Sequence, residues 1–339
     1  MHLDTQMGSM DLALVGDECR RHEQQGFDAV WTYETTHDPY FPIVLGAAAT
    51  QRIHLGTNIA IAFARSPYST ALSAWDLQKL SKGRFHLGLG TQVRAHVERR
   101  FSMPFEHPAA RVQDFVNCVR AVWDTFQNDA KPAYEGQFYR FQLMNPMFNP
   151  GPIDHPHIPI YLAGVNPTIC RAAGEVADGF HVHPFHSREY LEKVVRANLD
   201  AGAKKRGKRV TDMKLACPVF VVTGETQAEM DKSLEETRRQ ISFYASTPSY
   251  RAVLIHHGME ELGKTLSQHA RTGQWDAMVK LITDDMLELF ATVAKPAKLP
   301  QALHARYDGL LDRISLYVPI SGDTRSSDWS GFMKAFRAA

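Results

Sequence analysis

Short runs of Val, Ile, Leu and Ala alternate with longer stretches of helical periodicity from the first residues onward, a pattern that predicts βα units around a parallel sheet. The apolar runs place strands at 3–7, 29–34, 53–61, 84–90, 158–163, 179–183, 214–222 and 314–318. Eight strands with helices between them predict a closed α/β barrel of the TIM (β/α)8 type, since an open doubly wound sheet more often uses about five or six.

Helix ends are marked in the chain. Ser66-Pro67 sets a capping hydroxyl before a proline at the first helical position, and Gly83 follows the expected end at Ser81. After Pro108, the residues Val112, Phe115, Val116, Val119, Val122, Trp123 and Phe126 form a stripe that would face a sheet. Thr226 and Glu229 make a capping box for a helix ending near Tyr244. Two connections exceed ordinary barrel loops: 128–157, with five prolines, and 224–313. Both are expected to sit where lids and substrate walls are built, on a single domain spanning 1–339.

Composition narrows the possibilities. The chain has 339 residues with 38 Lys plus Arg against 37 Asp plus Glu, so it lacks the basic surplus of a nucleic-acid binder. Hydrophobic residues at 44% and charged residues at 22% describe an ordinary globular chain rather than a disordered one. No segment approaches the roughly 18 apolar residues of a membrane span, and residues 1–10 lack signal-peptide features, so a cytoplasmic protein without membrane partners is expected. Cys19, Cys118, Cys170 and Cys217 lie far apart, which disfavours a disulfide framework or a Cys-based zinc site. The 16 histidines are unusual and raise the question of a metal or acid/base centre.

Catalytic groups of such a barrel belong at the C-terminal ends of strands. Strand two runs into Tyr33-Glu34-Thr35-Thr36-His37-Asp38-Pro39, where Glu34 or His37 could exchange a proton with substrate; a Glu34–Arg pair and a solvated His37 are the plainer alternatives. Gly88 and Gly90 on strand four either admit a planar ring or serve packing. Strand five ends in Ala163-Gly164-Val165-Asn166-Pro167 before a helix, offering free N–H groups to a phosphate, or simply a βα turn. His181 and His183 share one face of strand six, as metal ligands would, but strand eight supplies no Asp before Asp323.

Taken in order along nearly the whole chain, these segments resemble the luciferase-like superfamily, in its branch of coenzyme F420-dependent oxidoreductases. The matching pieces are Gly26-Phe27-Asp28-Ala29-Val30-Trp31, Leu55-Gly56-Thr57, Arg65-Ser66-Pro67, Ser81-Lys82-Gly83-Arg84-Phe85, Leu87-Gly88-Leu89-Gly90, Pro159-Ile160-Tyr161-Leu162-Ala163-Gly164 and Ala177-Asp178-Gly179-Phe180. Tyr33 to Pro39 together with Gly90-Thr91-Gln92-Val93-Arg94-Ala95-His96 look like one actinobacterial, often mycobacterial, subfamily. The resemblance implies a deazaflavin across the strand ends, backed by a non-prolyl cis peptide at Asn58-Ile59 and flanked by Gly90, Thr91, Gln92 and His96. It also implies a phosphate loop at Ala163, Gly164, Val165 and Asn166, with His181 and His183 as wall residues near the cofactor. Arg94, His96, Arg99 and Arg100 would meet the coenzyme's acidic tail or form a solvated helix face.

Two departures stand out. Several relatives carry an Asp-His pair where this chain has Glu34-Thr35, and paired glycines where it has Val165-Asn166. The expectation is an F420-dependent enzyme, a homodimer, moving a hydride to or from a small organic substrate with Glu34 and His37 as its polar groups. The alternatives are an FMN-dependent monooxygenase of the same superfamily and a metal-dependent hydrolase built on His181 and His183.

Overall fold

A computed structural model describes residues 1–8, 11–317 and 329–339. Eight parallel strands form its centre: β1 His2–Gln6, β2 Ala29–Thr32, β3 His54–Thr57, β4 Phe85–Gly90, β5 Ile160–Gly164, β6 Gly179–Val182, β7 Lys214–Val222 and β8 Arg313–Tyr317. Each pairs with the next and β8 pairs with β1, so the ring closes and no barrel strand is left as an edge. The expected strand at 53–61 breaks after Thr57 and resumes as Ala60–Ile61 beside β4. Of the expected strand 314–318, Val318 lies outside the described residues.

The helices that clothe the barrel are α1 Leu12–Gln25, α2 Tyr40–Ala49, α3 Pro67–Leu80, α4 Pro108–Asn128, α5 Pro167–Val176, α6 Ala197–Lys204, α7 Gln227–Ser246 and α8 Leu299–Tyr307. The Ser66 hydroxyl accepts from Ser69 N–H at 3.1 Å, which starts α3, and Thr226 and Glu229 form a reciprocal capping box on α7. Arg84 explains the Ser-Lys-Gly-Arg-Phe segment: its buried guanidinium donates to Ser81 O, Ile53 O, Thr50 O, Ala47 O and the Thr50 hydroxyl, stapling the end of α2 to β3 and β4. Buried apolar residues from Leu3 to Phe336 form one contiguous core, in which all four cysteines are buried and unbridged.

The barrel interior is plugged by a polar layer. Arg313 grips both oxygens of Asp4, each at 2.8 Å, and Trp31 Nε1 donates to the same carboxylate at 2.7 Å. Burial pushes the Asp4 carboxyl up while the Arg313 and Trp31 donors oppose it. His181 lies edge-on to Trp31 at 4.7 Å, and His86 stacks on Tyr161 at 5.6 Å.

The two long connections go different ways. Segment 128–157 leaves the C-terminal end of α4, so it starts on the face opposite the strand ends. Asp114 on α4 accepts from the Tyr134 hydroxyl and from the N–H groups of Phe138 and Tyr139, while Trp75 and Gln78 on α3 donate to Gly151 O and His157 O. These bonds bind it along the outside of α3 and α4. None of its residues lines the main cleft, contrary to the expectation that it would wall the site. The second connection begins at a strand end and carries α7 and several shorter helices over the barrel mouth. No helix among the described residues is long and apolar enough to cross a membrane.

Candidate active site

The strand ends open into a cleft of about 1580 Å3 among the described residues. Glu34, Asn58, Ile59, Gly90, Thr91, Gln92, Ala163, Gly164, Val165, Asn166 and His183 all line it. His37 does not: β2 ends at Thr32, and His37 sits in a separate small recess with Thr32, Tyr33 and Pro42. His96 is exposed on a short helix, Arg94–Arg99, and also lies outside the cleft lining.

Glu34 is held by firm partners. Its Oε2 accepts from Ile61 N–H at 2.8 Å and from Arg65 at 2.7 Å, and Arg65 also donates to Asp38 at 2.6 Å. Glu34 N–H donates to Ile59 O at 3.3 Å, and Asn58 N–H to Thr32 O at 2.5 Å. The carboxylate therefore clamps the end of β2 onto the 58–61 segment, the paired arrangement that the sequence left open.

Between these bonds the Asn58–Ile59 peptide is cis. The two glycines of β4 divide the roles that the sequence could not separate. A Cβ on Gly88 would fall 1.7 Å from Thr57 O, so its absence serves the close approach of β3 and β4. A Cβ on Gly90 would fall 2.9 Å from Ile59 Cδ1, so that glycine makes room for Ile59 at the cleft floor. Beside it Gln92 has a left-handed backbone, φ 57°, with its own side-chain oxygen accepting from Val93 N–H at 2.9 Å.

Across the cleft, Asn166 caps α5 by accepting from Ile169 N–H at 3.0 Å, with Pro167 at the first helical position. Pro167 has no N–H, and the N–H of Thr168, which lines the cleft, lacks a helical partner by its position in the first turn. Partial positive charge at this helix start faces the cleft.

A ring-lined wall closes the other side. His183 lies edge-on to Tyr244 at 4.7 Å and tilted against Tyr250 at 4.2 Å, and the Tyr244 and Tyr317 hydroxyls are 2.8 Å apart. Burial depresses the His183 and His181 imidazoles to about 3 and His186 to about 4, so all three are neutral near pH 7. His181 is packed deeper, against Trp31 and Tyr161, and no group of three metal-ligating side chains among the described residues contains it or His183. A cluster of Glu189, His256 and His257 does exist, outside the cleft lining. Arg65, Asp38, Tyr244, Tyr250 and Tyr317 are the site residues that sequence reasoning missed. In the sequence Tyr244 only marks the expected end of a helix, and no spacing singles out Arg65 as the arginine that meets Glu34.

A closed eight-stranded barrel with its cleft at the strand ends is the architecture of a TIM-barrel enzyme. Residues 2–313 match the luciferase-like monooxygenase family, and the chain belongs to that family. It is 44% identical over 303 residues, 89% of each chain, to the uncharacterized protein Rv1360 of Mycobacterium tuberculosis. It is 24% identical over 315 residues, 90% of this chain and 89% of the relative, to 5,10-methylenetetrahydromethanopterin reductase of Archaeoglobus fulgidus. Among solved structures, the coenzyme F420 dependent tetrahydromethanopterin reductase of Methanopyrus kandleri superposes with a TM-score of 0.81 at 19% identity, covering 99% of both chains. An F420-dependent secondary alcohol dehydrogenase in complex with an F420-acetone adduct gives 0.75 at 15% identity, also over 99% of both.

Proposed function

We propose that the protein is an F420-dependent oxidoreductase that moves a hydride between the deazaflavin and a small organic substrate. The observation that carries this reading is the pairing, across one cleft, of the Asn58–Ile59 platform with the helix start at Asn166. Relatives whose names specify F420 chemistry span nearly the whole chain, which supports it.

The residues present fit the coenzyme. Ile59, given space by Gly90, would back the ring, and the Val165–Thr168 backbone would hold the phosphate. When bound, the deazaflavin supplies the hydride donor or acceptor. The protein's own part is to bind, orient and exclude water. Glu34, with Arg65, orders the 58–61 segment and keeps the platform against the cleft. Gln92 and Thr91 line the cleft beside the platform, and the second connection covers its mouth with Gln240, Tyr244, Ser249 and Tyr250. Assembly as a homodimer and a cytoplasmic location belong to the same reading.

The test is titration of the purified protein with F420 and with FMN, followed by fluorescence quenching, with metal analysis alongside. Saturable F420 binding is expected. Tight FMN binding with none of F420 would replace the proposal with an FMN-dependent monooxygenase, and stoichiometric zinc would revive the hydrolase.

A further inference from the structure

The ring-lined wall has a donor with nothing to bond. Phe185 N–H donates to His183 Nδ1 at 3.1 Å. A ring nitrogen that accepts a backbone N–H carries no proton, so the neutral imidazole has its proton on Nε2. Desolvation keeps the ring neutral, and charging it would put a second N–H against the Phe185 donor. Among the described residues Nε2–H has no hydrogen-bond partner, and His183 is partly open to the cleft.

The surrounding charges choose the ligand. Tyr33, Tyr244, Tyr250 and Tyr317 line the same cleft, and burial raises the first three phenols, so they stay neutral. No lysine lines the described cleft, and its arginines are matched, Arg21 with Glu18 and Arg94 with Glu98. Glu34 and Asp38 share the single cation of Arg65, which leaves the mouth of β2 with an excess negative charge. An anion therefore finds favourable ground at the α5 helix start and unfavourable ground at the tyrosine wall.

We infer that the tyrosine wall holds an uncharged carbonyl or alcohol compound with a planar apolar body, whose oxygen accepts a hydrogen bond from His183 Nε2–H. The inference rests on the oxidoreductase reading for its chemistry but not for its binding. Aromatic rings give the apolar body area without charge, and the unpartnered His183 N–H beside Tyr244 and Tyr250 fixes the oxygen's position.

Acetophenone and benzoate, one ring carrying either a ketone or a carboxylate, are the probes, titrated calorimetrically into the wild type, His183→Phe and His183→Gln, each checked for native circular dichroism. Acetophenone is expected to bind at least about tenfold tighter than benzoate. His183→Phe, which keeps a ring and loses the donor, should weaken it about three- to tenfold, and His183→Gln, which restores an N–H, should recover most of that. Long-range 1H–15N spectra should show His183 protonated at Nε2 alone at neutral pH. Equal benzoate binding, indifference to His183→Phe, or an Nδ1-protonated ring overturns the inference. So does a parallel loss of F420 affinity in His183→Phe, which would assign the residue to the cofactor. If the wild type fails to bind F420 while acetophenone binding stays His183-dependent, the oxidoreductase reading falls and this inference stands.

Discussion

Two arginines hold carboxylates inside the barrel, one at the sealed end and one at the open end. Arg313 grips Asp4 with both side chains nearly shut off from solvent, 9% and 2% exposed. Arg65 divides one guanidinium between Glu34 and Asp38, and Asp38 remains 36% exposed. The sealed pair has three donors converging on one carboxylate and lies on strands β1, β2 and β8, so it belongs to the frame. The open trio joins loop to loop around the 58–61 segment, where its electrostatics are softened by water and by whatever fills the cleft. The same chemistry is thus structural at one end and a positioning device at the other, and burial makes the difference.

The largest effect should come from breaking the sealed pair. Asp4→Ala leaves a buried guanidinium without its counter-charge and should cost about 3–5 kcal/mol in urea unfolding; a loss below about 1 kcal/mol would place Asp4 outside the frame. Acid should act next on the buried histidines. His181 and His186 titrate at about 3 and about 4 in the folded protein, against 6.5 for an unperturbed imidazole. The unfolded chain therefore binds protons that the folded one refuses. The stability they contribute is complete above pH 6.5 and is lost as pH falls toward 4, by about 1.4 kcal/mol per pH unit for each ring. His181→Gln should flatten that slope, as unfolding measured at several pH values would reveal; an unchanged slope would mean that His181 is protonated in place.

Arg65→Met at the open end should cost about 1–2 kcal/mol in stability yet weaken F420 affinity disproportionately, since it frees the clamp on 58–61. Equal effects on melting and on affinity would make Arg65 a frame residue like Arg313. His37→Ala, in the small recess outside the cleft lining, should leave turnover and F420 affinity within about twofold of the wild type; a large loss of turnover on an identified substrate would bring it back into the reaction. Arg140→Ala, which breaks the exposed pair with Glu135 on the antiparallel pair Tyr134–Glu135 and Arg140–Phe141 of segment 128–157, should change stability by less than about 0.5 kcal/mol and leave F420 affinity intact.

The barrel was legible in the chain because parallel strands, buried on both faces, print as continuous apolar runs, and because caps such as Ser66-Pro67 and Thr226/Glu229 are local signals. The break at Asn58–Ile59 was not visible in periodicity and came through family resemblance. The α5 start was readable as a strand-to-helix turn at Asn166-Pro167 even without paired glycines. What escaped notice was contact between distant segments. Glu34 meets Arg65 across thirty-one residues. The tyrosine wall is assembled from the loop after β2, from α7 and the turn that follows it, and from β8, segments far apart in the chain. The path of 128–157 depends on Asp114, a single side chain that organises a loop some twenty residues away.

The four cysteines give the molecule a set of internal reporters. Cys19, Cys118, Cys170 and Cys217 lie on α1, α4, α5 and β7, each buried, and burial pushes Cys118 up to about 11 and Cys19 and Cys170 up to about 12. An alkylating reagent attacks the thiolate, so in the native state it must wait for each quarter of the barrel to open. Site-resolved alkylation rates, read by peptide mass, would therefore map local opening around the ring from the wild-type chain with no introduced probe.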